Sequence, residues 1–244
     1  MKKGDDRKQM ILETAERLFY EKGYEATSVQ DILDALKLSK GGFYHHFESK
    51  LSLLEAIVEQ KCEAGARAAE QAVQECTGSA VDKLNIMFFK NGLWQNDSMD
   101  YIGLLLRVSY RQGSFLLREK LKQTTYRLSL PLINDIVRQG VQEGVFYTRY
   151  PDEIGSVILL LGASMTDEIA EILAQPQQTG EELARILDKL EVYRSSVETL
   201  LNAPYGSVVL YDMSRMVEIF KAIGDQNRRM AWETLGKNLE PAEK

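Results

Sequence analysis

Apolar residues recur at helical spacing from the first turns of the chain. Ile11, Leu12, Ala15, Leu18 and Phe19 fall at i, i+1, i+4, i+7 and i+8, one face of a 3.6-residue repeat, and Gly23 follows where a C′ glycine ends a helix. Ser28 then stands before "VQDILDALKL" with Asp31 three residues on, as in a capping box, so a short second helix runs to about Leu36. After "KLS", Ser39 reads as an N-cap. Lys40, Gly41 and Gly42 become the first three helical positions, with Leu38 and Phe43 at the two hydrophobic-staple positions. Ser49 caps a fourth helix whose stripe, Leu53, Leu54, Ile57, Val58 and Cys62, continues into the Ala-rich "CEAGARAAEQAVQE" and gives it the character of a connector. Longer helices are expected over about 80–95, 100–112, 115–143, 152–174, 179–202 and 207–223. Pro131 should kink the third of these by removing a donor and freeing the carbonyl of Arg127. No stretch sustains strand-like alternation, so the expected fold is all-α.

Helices two and three are separated only by the turn of a helix-turn-helix, and the second of the pair is brief, aromatic and cationic, as a recognition helix is. Two successive glycines cost it up to about 1 kcal/mol each relative to alanine. At a helix start they let free N–H groups approach a phosphate and let the helix end enter a major groove. Taken alone, Gly41 and Gly42 are equally well read as residues that tolerate a tight turn. Their neighbours shift the balance: Lys40 lies at the mouth of the helix, and His45, His46 and Lys50 can donate to phosphates. His45 and His46 are the only two histidines in the chain. Tyr44 and Phe47 are three apart, and the simplest assignment makes Phe47 core and leaves Tyr44 partly outside.

Net charge is -6 over 244 residues, which by itself argues against a polyanionic partner. Even residues 1–61 carry ten Lys/Arg against eleven Asp/Glu. Their bases gather at Lys2, Lys3, Arg7 and Lys8 and again at Lys37, Lys40 and Lys50, so a local basic face is expected and a global one is not. A charged start without an apolar core behind it, and an apolar run "VILLLGASM" too short to span a bilayer, point to a cytoplasmic protein with no membrane partner. Cys62 and Cys76, with no histidine near, fit neither a zinc site nor a disulfide framework.

The stretch "RKQMILETAERLFYEKGYEATSVQDILDALKLSKGGFYHHFESKLSLL", Arg7 to Leu54, resembles the DNA-binding region of the tetracycline-repressor (TetR) family of bacterial transcription regulators. Ala15, Leu18, Phe19, Gly23, Tyr24, Thr27, Ile32, Ser39, Gly41, Tyr44, Phe47, Ser49, Lys50 and Leu54 carry the likeness in order and spacing. The resemblance implies that Lys40, Gly41, Gly42, Tyr44, His45, His46 and Lys50 face operator DNA. Tyr44, Lys50 and Ser28 would then touch phosphates, while Lys40, Gly42 and His45 reach base edges. Phe43 would meet a thymine methyl, although its staple with Leu38 explains it equally well. The chain departs from the family in the turn, where Lys37 replaces a glycine or asparagine and must take a positive φ or impose another turn shape.

The expected organisation is a helix-turn-helix DNA-binding domain at 1–50, a helical effector-binding and dimerisation domain at 51–224 and a tail at 225–244. Ten of the chain's twenty-one aromatics lie between Ile86 and Tyr150, a density that fits an apolar pocket between helices or a plain core. Phe88, Trp94, Arg107, Tyr110, Arg111 and Tyr126 are its candidate ligand contacts. Small residues around "VILLLGASM" suit a buried helix face, and the resemblance implies that this helix and a later one form a homodimer bundle. The function expected is an effector-responsive DNA-binding regulator, a repressor released from its operator by a small molecule. No catalytic set, metal cluster or phosphate loop appears, so no enzyme, cofactor or metal is expected. The alternative is an all-α ligand-binding protein or enzyme built on residues 86–150 with no DNA role; a protein-docking module is a further one.

Overall fold

The computed structural model describes residues 3–91, 115–173, 181–210 and 221. Among them are eight main helices and no strand: α1 Lys3–Lys22, α2 Val29–Leu36, α3 Lys40–Tyr44, α4 Lys50–Glu75, α5 Ala80–Asn91, α6 Phe115–Glu143, α7 Ile154–Leu173 and α8 Glu181–Leu201. The stripe on α1 is buried throughout, and with Ile32, Leu33, Phe43, Phe47, Leu53, Leu54, Ile57 and Val58 it closes a small apolar core beneath α2 and α3. Leu117 of α6 completes that core and Leu121 packs on it, so the start of α6 is held against the N-terminal helices. Lys120 adds ion pairs to Glu55 at 3.3 Å and Glu59 at 3.8 Å on α4. The core therefore does not end at residue 50: it takes the first half of α4 and the tip of α6.

A second core joins Val73 of α4, Leu84 and Met87 of α5, Ile133, Ile136 and Val137 of α6, Ile158 of α7 and Tyr193, Val197 and Leu201 of α8. Gly162 lets α7 meet α8 closely, since a Cβ there would stand 2.7 Å from the Tyr193 hydroxyl. That hydroxyl donates to the Ile158 carbonyl at 3.0 Å, and burial pushes the phenol pKa well up. α6 runs on through Pro131.

The expected helices at 80–95, 152–174 and 179–202 are observed with shorter described limits, and 115–143 is matched end to end. The helix expected over 100–112 lies outside the described residues, as do the tail at 225–244 and most of 207–223. Residues 207–210 correct the last of these: they are not helical but pack on the second core, with Val208 and Leu210 buried. Side chains far off in sequence hold them there. Glu198 Oε1 accepts from the Val208 N–H at 3.0 Å, and Asn85 donates to Ser207 O and accepts from the Val209 N–H, both at 2.9 Å.

Candidate nucleic-acid interface

The helix pair is built as its caps dictate. Ser28, extended at φ -91°, accepts from the Asp31 N–H at 3.1 Å, while the Asp31 carboxylate accepts from the Ser28 N–H at 2.7 Å, a full capping box. The Ser28 hydroxyl, which also donates to that carboxylate, and the Ser28 N–H, with Lys22 at 3.3 Å, hold the Asp31 carboxyl down at about 2. At the other end Lys37 takes the left-handed conformation, φ 54°, and its N–H and that of Leu38 return to the carbonyls of Asp34 and Leu33. The lysine thus takes the left-handed cap conformation that glycine or asparagine commonly supplies.

Ser39 accepts from the Gly42 N–H at 3.3 Å and starts α3. Phe43 is 0% exposed and Phe47 4%, with Leu38 packed beside them, so the staple pins α3 to the core by one face. Phe43 cannot reach a thymine methyl, and that expectation is corrected: the side chain is spent inside. Tyr44, its neighbour, is 55% exposed and stacks edge-on to Phe43 at 5.4 Å. Ser28, Ser39, Lys40, Gly41 and His45 are exposed, and Gly42 and His46 half-buried.

The imidazoles of His45 and His46 meet edge-on at 5.0 Å. Partial burial lowers the His46 pKa, and the charges of His45, Arg7 and Lys8 lower it further. Arg7 and Lys8 of α1 therefore come within electrostatic reach of the end of α3.

Lys50 is placed otherwise than expected. Its ammonium donates to the carbonyls of Tyr24 at 2.8 Å, Thr27 at 2.9 Å and Glu25 at 3.5 Å, and lies over the Tyr24 ring at 4.3 Å. An ammonium has three N–H groups, and all three are engaged within the chain. Sequence reasoning missed Tyr24 and Thr27 as partners, because backbone carbonyls leave no signature in residue type.

Residues 11–57 match the model of bacterial regulatory proteins of the tetR family. The match is to the N-terminal region of that family alone. Over 49 residues, 20% of this chain and 17% of the relative, this domain is 51% identical to the uncharacterized HTH-type transcriptional regulator YuxN of Bacillus subtilis. Over 55 residues, 22% of this chain and 28% of the relative, it is 42% identical to IcaR of Staphylococcus aureus, an HTH-type negative transcriptional regulator of a biofilm operon. The matches thus span under a third of either curated relative. The whole fold resembles a solved tetR-family regulator from Pectobacterium atrosepticum at a TM-score of 0.61 and 20% identity, covering 84% of this chain and 100% of that one.

Of the expected ligand contacts, Phe88 packs on the second core edge-on to Tyr193 at 6.0 Å, and Tyr126 is half-buried on α6. Trp94, Arg107, Tyr110 and Arg111 lie outside the described residues. Neither Phe88 nor Tyr126 lines the groove of about 540 Å³ between α4, α5 and α6, whose walls include Glu63, Arg67, Glu70, Lys83, Pro131 and Asp135. Among the described residues, no group of three or more His, Cys, Asp or Glu is placed to hold a metal, and no helix is long and apolar enough to cross a membrane.

Proposed function

We propose that the chain is a transcriptional regulator that binds operator DNA through α2 and α3, acting as a homodimeric repressor released by a small-molecule effector. One observation carries the DNA-binding part. α3 is nailed to the core by Phe43 and Phe47 while Tyr44, His45 and His46 stand outward, with Arg7 and Lys8 within electrostatic reach of His46. Such a helix offers donors and an aromatic edge to a duplex. Ser28, Ser39, Lys40, Gly41, Gly42, Tyr44, His45 and His46 form the proposed contact set. The repressor sign rests on the negative regulator among the relatives, and the effector is assigned to the larger helical unit, with Phe88 and Tyr126 as its expected contacts. A dimer is favoured by apolar side chains left outside on the last two long helices, Val157, Leu160 and Leu161 on α7 and Val192 on α8. A protein at work on operators resides in the cytoplasm.

The test is selection of duplexes from a random pool by the purified full chain at low salt. A regulator retains a subset sharing a sequence and releases it as salt rises. A protein that retains no duplex at any salt is not a DNA-binding regulator.

A further inference from the structure

Lys50 is the first residue of α4, where the positive end of the helix dipole disfavours a cation. Its placement is offset by the three carbonyls of Tyr24, Glu25 and Thr27, all in the turn between α1 and α2, and by the face of the Tyr24 ring. Thr27 directly precedes Ser28, the cap of α2, and its own hydroxyl shares its one proton between the carbonyls of Gly23 at 2.8 Å and Leu18 at 3.2 Å, closing the turn from the other side. Burial and the charges of Glu25 and Glu55 push the Tyr24 phenol up to about 12, so the ring beneath the ammonium stays neutral.

We propose that Lys50 is a positioning residue: its ammonium ties the α1–α2 turn to the first turn of α4, and so sets where α2 and α3 meet the duplex, instead of neutralising a phosphate. The inference rests on the DNA-binding reading above. It makes the start of α4 a latch: this helix also shares the N-terminal core with α6, so a shift of α4 carries the turn, and with it the Ser28 cap, along.

The test compares wild type, Lys50→Met, Lys50→Arg and Lys40→Met on two probes, a duplex selected from a random pool by the wild-type protein and a scrambled duplex, over a range of salt. Lys50→Met keeps the apolar stem and removes the charge. It should lose about tenfold to a hundredfold in affinity for the selected duplex, little for the scrambled one, with the slope of log K against log salt unchanged. Lys40→Met should lower that slope by about one. Lys50→Arg keeps the charge but cannot gather three carbonyls about one nitrogen, so it should also lose selected-duplex affinity, and it keeps the test open if Lys50→Met does not fold. A slope lowered by about one in Lys50→Met, or wild-type affinity in Lys50→Arg, overturns the latch. If the wild type selects no duplex at all, the DNA-binding reading itself fails and the latch with it.

Discussion

At the scale of single residues, neighbours in α3 have opposite tasks. Phe43→Ala removes a fully buried ring from a small core and should cost about 3–5 kcal/mol of stability. Tyr44→Ala touches an exposed side chain and should shift stability by no more than about 0.5 kcal/mol while weakening DNA binding several-fold. Chemical denaturation and a binding titration on both variants read the two effects separately. The histidines add a pH dependence. His46 sits below the ordinary imidazole value through partial burial and then His45, Arg7 and Lys8. The unfolded chain therefore binds more protons, and the stability tied to His46 falls as pH drops through the ordinary value, the loss being complete below the folded one. Phosphates brought near reverse the preference, so DNA binding takes up protons and affinity should rise from about pH 8 to about pH 6. His46→Gln should flatten that rise in a titration series; an unchanged profile places His46 away from the duplex. The inward Phe47 and outward Tyr44 were legible in sequence because they sit at helical phase after a recognisable cap, whereas Phe43 stayed open between the staple and a thymine contact. Lys50 was not, because its partners are main-chain carbonyls 23–26 residues away.

At the scale of elements, the capping serines located the starts of α2, α3 and α4, and a capping residue is worth about 0.5–2 kcal/mol. At Lys37 the sequence left open a positive φ or another turn shape, and the residue takes the positive φ. The glycines of α3 give the sharpest contrast between stability and function. A Cβ at Gly41 meets nothing within 4 Å in the free chain. Gly41→Ala should therefore raise stability by up to about 1 kcal/mol and at the same time weaken DNA binding, because the space the methyl fills is where the duplex approaches. Melting and binding curves of this one variant check both signs; a gain in stability with undiminished affinity means the glycine only tolerates the turn. Residues 207–210 escaped the sequence reading for the opposite reason. Their non-helical path is held by Glu198 and Asn85, and no local period announces such bonds.

At the scale of the whole molecule, two cores are joined through α4 and α6, and apolar side chains remain outside on α7 and α8. All-helical class, the small N-terminal unit and the connector were readable from periodicity, since each is local. The packing of the α6 tip into the N-terminal core was not, since Leu117 lies about sixty residues from the α4 side chains it joins. Leu160 is 60% exposed and Val192 67%. In the proposed dimer these are covered, and Leu160→Asp should turn a dimer into a monomer in sedimentation or light scattering and weaken binding to two-fold duplexes. The central claim, that α2 and α3 form the surface that meets DNA, is tested most directly by amide hydrogen exchange on the full chain with and without a duplex it has selected. Protection gained across residues 28–46 is the predicted result; protection confined to other segments, with 28–46 exchanging at its free rate, contradicts it.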